Sequence, residues 1–193
     1  MVFYDISVYK IERYLAELGA ALESQGITKP VRMLLIGGAY MMLLANAPRT
    51  TDDIDIFWME EGEDFQRARQ ALRDGVQAIA SKYTLPPNWL NYLTQMLIYD
   101  KIIMPRAKLW KRYGPLQVYA PPKEFVFALK LLAGRDQDLA DCRILLPQTR
   151  TRTRRQAQRV LDRYILPAAQ QEEAETISSS LNVLFGSESA GEP

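Results

Sequence analysis

Between Val31 and Trp58 the chain reads VRMLLIGGAYMMLLANAPRTTDDIDIFW, an order of residues that few architectures accommodate. Val31 to Ile36 is a short apolar run closed by Gly37-Gly38, the pattern of a buried strand ending in a tight turn. Ala39 to Ala45 is apolar and rich in helix formers. Arg49-Thr50-Thr51-Asp52-Asp53 then leads into Ile54-Asp55-Ile56-Phe57-Trp58. Alternate residues of a strand share a face, so Asp53 and Asp55 point one way, and Ile54 and Ile56 point the other way into a core. Two carboxylates on one face repel unless something positive sits between them, and a hard divalent cation with oxygen ligands meets that need. A Gly-Gly turn that opens a helix presents backbone N–H groups suited to an anionic phosphate. The same glycines also suit a plain strand-to-helix turn that requires positive φ.

Strand, Gly37-Gly38, helix, spacer and Asp53-x-Asp55 together resemble the signature of the nucleotidyltransferase superfamily, the DNA polymerase β-like fold. The form Arg49-x-Thr51-x-Asp53-Ile54-Asp55 is most similar to the AbiEii/MenT-type branch and its uncharacterised relatives, many of them toxins of bacterial toxin–antitoxin or phage-defence pairs. The resemblance implies an α+β fold: a minimal nucleotidyltransferase core with a mixed β-sheet flanked by helices. It also implies Mg²⁺, or Mn²⁺, held by Asp53 and Asp55, and an NTP whose phosphates meet Gly37 and Gly38. The nucleotide would pass to a hydroxyl of tRNA, another RNA or a protein, and a cognate antitoxin would be a further partner. Carboxylates on one strand face can hold two ions about 3.5–4 Å apart, one polarising the α-phosphate and one holding the leaving pyrophosphate. Arg49 is open between phosphate contact and loop support, whereas Thr51 reads better as local hydrogen-bonding support.

Composition narrows the chemistry. The chain has 193 residues, enough for one domain or a core with a helical appendage, and 48% of them are hydrophobic. The net charge of +1 gives no global pull toward nucleic acid, so any such binding requires a local patch. With no histidine, a His general base, His metal ligands and Ser-His-Asp or Cys-His sites are all excluded. The single cysteine, Cys142, excludes an internal disulfide framework and fits a reducing, cytoplasmic setting. No apolar run approaches a membrane span, and no signal-peptide pattern opens the chain.

Helical spacing of Ile11, Leu15, Leu18 and Leu22 predicts an amphipathic packing helix over residues 5–26. A second helix is predicted from about Asp64 to Tyr83, with Phe65, Leu72, Val76 and Ile79 on one side and an acidic lead-in at Glu60, Glu61 and Glu63. Asn88-Trp89-Leu90-Asn91 resembles a segment recurring in relatives of the AbiEii branch and carries no assigned chemical role; Trp89 reads as a packing anchor. Met96 to Met104 fits strand or helix. Arg106, Lys108, Lys111 and Arg112, interleaved with Trp110 and Tyr113, suit either phosphates and stacked bases or a solvated surface. Leu116 to Ala120 reads as a strand. From Pro121 the pattern is helical: a core is expected over residues 1–120, a helical region over 121–185 and a disordered tail over 186–193. The run Arg150, Arg152, Arg154, Arg155, Arg159 and Arg163 reads as a basic helix, either an RNA-backbone footprint or a solvated face.

A second constellation follows. Lys130, Asp138 and Asp141 are spaced to share one helical stripe if the helix runs through Gly134. The AbiEii/MenT branch resembles this order of a helical Lys, then Arg135, then Asp138 and Asp141 three apart, although Gln137 stands where the family often has Lys. By that resemblance Lys130 contacts donor phosphate, with Arg135 and Asp138 near it, and Asp141 orients donor or acceptor. From the residues alone, the two aspartates equally pair with Arg135 or Arg143. Many superfamily members carry a third acidic residue on a later strand. Leu116 to Tyr119 has none, and Asp100 is the nearest candidate. Without that carboxylate the alternative is a catalytically inactive nucleotide-binding or protein-interaction module.

Overall fold

The computed structural model describes residues 5–59 and 63–187. The architecture is α+β, a mixed five-stranded sheet flanked by helices. Its contacts divide the chain into two compact units, one of Met1–Leu97 with Ala107–Pro121, the other of Ile98–Arg106 with Pro122–Pro193. The division falls between Pro121 and Pro122, and residues 98–106 belong to the second unit.

The first unit is built on β1 (Val31–Leu35), whose side chains are buried except that of Arg32. β2 (Ile54–Trp58) runs antiparallel to it with Met33 opposite Trp58, and β5 (Leu116–Ala120) runs parallel with Val31 opposite Leu116. β3 (Leu90–Asn91) lies parallel to β2, and β4 (Lys108–Tyr113) pairs antiparallel with β5, giving the order β3-β2-β1-β5-β4. β3 is only two residues long. Beyond it the side-chain amide of Gln95 continues the edge, accepting from Trp58 N at 2.8 Å and donating to Trp58 O at 3.0 Å.

α1 (Val8–Ser24) buries Ile11, Leu15, Leu18 and Leu22, the predicted stripe, and packs on α3 (Glu63–Tyr83). Leu72 and Ile79 are buried on α3 and Val76 is half-buried; the side chain of Phe65 lies outside the described residues. So do Glu60 and Glu61 of the predicted acidic lead-in and residues 188–193 of the predicted tail. Trp89 is fully buried and its indole N–H donates to Val76 O at 3.0 Å, the role of an anchor between α3 and the approach to β3. The ambiguous stretch resolves as α4 (Leu93–Ile98) and a 3-10 turn at Tyr99–Lys101. Lys108 to Tyr113 of the basic-aromatic run form strand β4, where Lys111 pairs with Glu12 at 3.0 Å, and Arg106 lies outside it.

In the second unit α5 (Lys123–Ala133) packs against α6 (Asp136–Thr149), α7 (Arg154–Tyr164) and α9 (Ala174–Phe185), with α8 (Pro167–Glu172) against α9. Phe125, Phe127, Leu131, Leu145, Leu161 and Ile165 are buried. Residues 98–106 join this unit through backbone bonds, Ile103 N to Tyr164 O at 2.8 Å and Leu166 N to Lys101 O at 2.9 Å. One open alternative is resolved here and one helix expectation is corrected. α5 and α6 are separate, because Gly134 adopts φ +63 and closes α5. The basic segment is not one helix from Arg150: Arg150 ends α6 with φ 55, and α7 begins after Thr153. A reciprocal cap between Thr153 and Gln156 fixes that start. No described helix is long and apolar enough to cross a membrane.

Candidate functional site

α2 (Gly37–Leu44) starts directly after β1, so both glycines stand in its first turn, where backbone amides have no intrahelical acceptor. Each glycine is required by one residue of the Asp loop. At Gly37 φ is +64, and a Cβ there would overlap Asp55 Oδ2 and lie 2.8 Å from Asp55 Cβ. At Gly38 a Cβ would overlap Thr51 Oγ1 and lie 3.1 Å from Thr51 Cβ, with a guanidinium nitrogen of Arg49 at 3.5 Å. Thr51 is buried, and its backbone pairs with Ile6 in both directions, N–H to O at 3.3 Å and O from N–H at 3.0 Å. The structure thus brings Gly37, Gly38, Arg49, Thr51 and Asp55 together around the turn.

Asp53 lies just before β2 and Asp55 within it, both half-buried. The side-chain amide of Asn91 donates to both carboxylates, at 3.0 Å to Asp53 Oδ2 and 3.0 Å to Asp55 Oδ1. Thr94 adds a longer bond to Asp55 Oδ1 at 3.3 Å. Asn91 is itself fixed from two sides: it stands opposite Asp55 in the β2–β3 register, and its Oδ1 accepts from Leu93 N at 3.0 Å. Two carboxylates close enough to share one amide form a compact anionic face.

Asn91 and Thr94 were given no site role by the sequence. The only signal was the Asn88-Trp89-Leu90-Asn91 resemblance, and it named no contact. Leu116 to Tyr119 of β5 carries no carboxylate. The strand beside Asp55 is β3, and the residue it presents there is Asn91. Asp100 stands exposed in the 3-10 turn of the second unit. Among the described residues no group of three or more Asp, Glu or Cys side chains is arranged to hold a metal ion. Asp53 and Asp55 are the two carboxylates that meet at this face. A pair suffices for Mg²⁺, which keeps several waters and takes one or two carboxylates plus substrate phosphates.

The second unit holds the other predicted set. Lys130 Nζ lies 2.6 Å from Asp138 Oδ1 and 2.9 Å from Asp141 Oδ2, and all three side chains are buried. Arg135, largely exposed, closes on Asp138 Oδ2 at 2.6 Å, and Gln137 reaches Asp141 Oδ1 at 3.4 Å. Lys130, Arg135, Asp138 and Asp141 thus meet, but across the break at Gly134 rather than along one continuous helix. Burial pushes the Asp138 carboxyl up, and the Arg135 hydrogen bond with the Lys130 charge outweighs it, leaving the group below its ordinary value. The Cys142 thiol beside them is buried and held far above its ordinary range by that burial. On α7, Arg155, Arg159 and Arg163 are exposed at four-residue spacing, one stripe along the helix.

Comparison with protein-family models, with curated proteins and with solved structures gives no match.

Proposed function

We propose that this chain is a metal-dependent nucleotidyltransferase that moves a nucleotide from an NTP to a hydroxyl of RNA, tRNA-like, or of a protein. The observation that carries the reading is the Asp53–Asp55 pair, converged on one amide of Asn91 and seated against the side-chain-free Gly37. Asp53 and Asp55 would hold Mg²⁺ or Mn²⁺. When bound, such an ion polarises a phosphoryl group and lowers the pKa of an attacking hydroxyl. The first-turn amides of α2 at Gly37 and Gly38 offer hydrogen bonds to phosphate oxygens. Thr51 keeps Gly38 in its tight approach, and Arg49 brings a positive charge to the same turn. The exposed arginine stripe of α7 offers an electrostatic footprint for an RNA backbone. The resemblance extends the proposal to a toxin with a cognate antitoxin protein.

Within the second unit the Lys130 charge is offset by two buried carboxylates, and the pairing clamps α5 to α6.

One observation favours a second reading, a nucleotide-binding module without turnover: the residue beside the pair on β3 is Asn91, which can donate a hydrogen bond but accept no proton as a base. Label transfer from each α-³²P-NTP with Mg²⁺ and total tRNA, against Asp53→Ala/Asp55→Ala, separates the two. Label on RNA or protein that vanishes in the control supports the enzyme. Metal-dependent NTP binding without transfer supports the module. Neither binding nor transfer overturns both.

A further inference from the structure

The first unit has a cleft of about 400 Å³ between α3 and the segment around β3. A volume of this size suits one small ligand. Leu72, Val76 and Leu90 give it an apolar floor, and Tyr92 adds a partly exposed ring to its wall. Arg69 and Arg73, one turn apart on α3, are exposed at its edge, and no acidic side chain is among its described lining residues. Asn91 closes one side while its amide holds Asp53 and Asp55.

We propose that this cleft binds a nucleoside monophosphate unit, the base on the apolar floor and against Tyr92 and the phosphate on Arg69 and Arg73. The inference deepens the proposed function, on which it rests in one respect: the unit bound here is the acceptor's, separate from the NTP at the α2 turn. Three features select that ligand. A flat ring is satisfied by an apolar floor with an aromatic side chain, because every base offers a π-face. Two guanidinium groups one turn apart match a phosphate's oxygens, and Arg recognises phosphate through paired N–H donors. No acidic side chain among the described lining residues opposes a phosphate there. The same chemistry arises from a free mononucleotide or from the terminal nucleotide of an RNA.

The test is direct binding to the full chain, which needs no turnover. The probes are the four nucleoside 5′-monophosphates, by calorimetry, and a fluorescent single-stranded RNA hexamer, by anisotropy. Arg69→Gln/Arg73→Gln and Tyr92→Ala alter exposed side chains, so their fold is checked simply by circular dichroism. The expected result is that the arginine double variant weakens a nucleotide ligand by about tenfold or more, since both charged donors to the phosphate are removed. Tyr92→Ala weakens it as well, and NTP binding with Mg²⁺ is unchanged in both. Loss for the hexamer alone assigns the cleft to RNA ends, and loss for the monophosphate alone assigns it to free nucleotide. Equal affinities in wild type and the arginine variant, or no binding of either probe to wild type, overturn the proposal. NTP binding that survives Asp53→Asn/Asp55→Asn would instead sink the metal-site reading and leave the cleft untouched.

Discussion

Asn91 and Asp55 face each other across the β2–β3 register and are joined by a 3.0 Å hydrogen bond, with the same Asn91 amide also reaching Asp53. An amide in this place neutralises no charge but holds two repelling carboxylates at one point. Changing Asn91 to Asp replaces the donor by a third carboxylate. In the absence of metal, three like charges crowd and thermal stability falls; with Mn²⁺ present, affinity rises above wild type because oxygen ligands and charge are added. Titration of free Mn²⁺ by electron paramagnetic resonance reads this. An unchanged affinity in Asn91→Asp, with Asn91→Ala also unchanged, would remove Asn91 from any metal-related role.

Gly37→Ala meets two obstacles, the positive φ and the overlap with Asp55. Gly26 also has positive φ but open space around it, so Gly26→Ala meets only the first. A loss of about 1–3 kcal/mol is expected at Gly37, and a smaller one at Gly26. Urea denaturation of the two variants decides it; equal losses would mean that Asp55 does not press on the turn.

Removing Lys130 strands two buried carboxylates. Lys130→Ala should cost about 3–5 kcal/mol, the range for breaking a buried ion pair from one side. The triple change Lys130→Met/Asp138→Leu/Asp141→Leu should cost much less, since no uncompensated charge remains. Thermal melts of the two test the clamp; a single variant no worse than the triple would argue against it.

Asp138 also gives the molecule an acid limit. Its folded pKa lies below the ordinary value of 3.8, so its ionised form adds stability that is complete above that value. As pH falls from about 4 toward the depressed folded pKa, that contribution is lost. Melting temperature followed below pH 5 should drop more steeply for wild type than for Asp138→Asn, which is already destabilised and lacks that titration. Parallel curves would show that other carboxylates set the limit.

What could be read beforehand was local. Val31 to Trp58 is legible because every signal sits within a few residues of what it controls: an apolar run, two glycines, alternating Asp and Ile. The α1 stripe is legible for the same reason. Asn91 is not, because its meaning comes from parallel pairing with a strand whose sequence lies far upstream, and β3 itself is two residues long. β4 is hidden by its charge. Lys108, Lys111 and Arg112 look like a solvated segment until β5 supplies the partner that makes them an outer strand. The spacing of Lys130, Asp138 and Asp141 gives one stripe only on a continuous helix; the side chains do meet, but through the turn at Gly134.

The return of residues 98–106 to the second unit has a consequence for the order of events on the ribosome. The first unit is complete once Pro121 has been made, with β1, β2, β3, β4 and β5 all in hand. Ile102 pairs with Ile165, and Lys101 meets Glu172 and Glu173, none of which yet exists. During synthesis the segment is therefore a loop of the first unit holding an apolar side chain in reserve, and it finds its partners only when α7 and α8 emerge. A chain stopped after Pro121 would carry that unsatisfied loop permanently, so cutting where the second unit's helices begin does not yield the first unit alone.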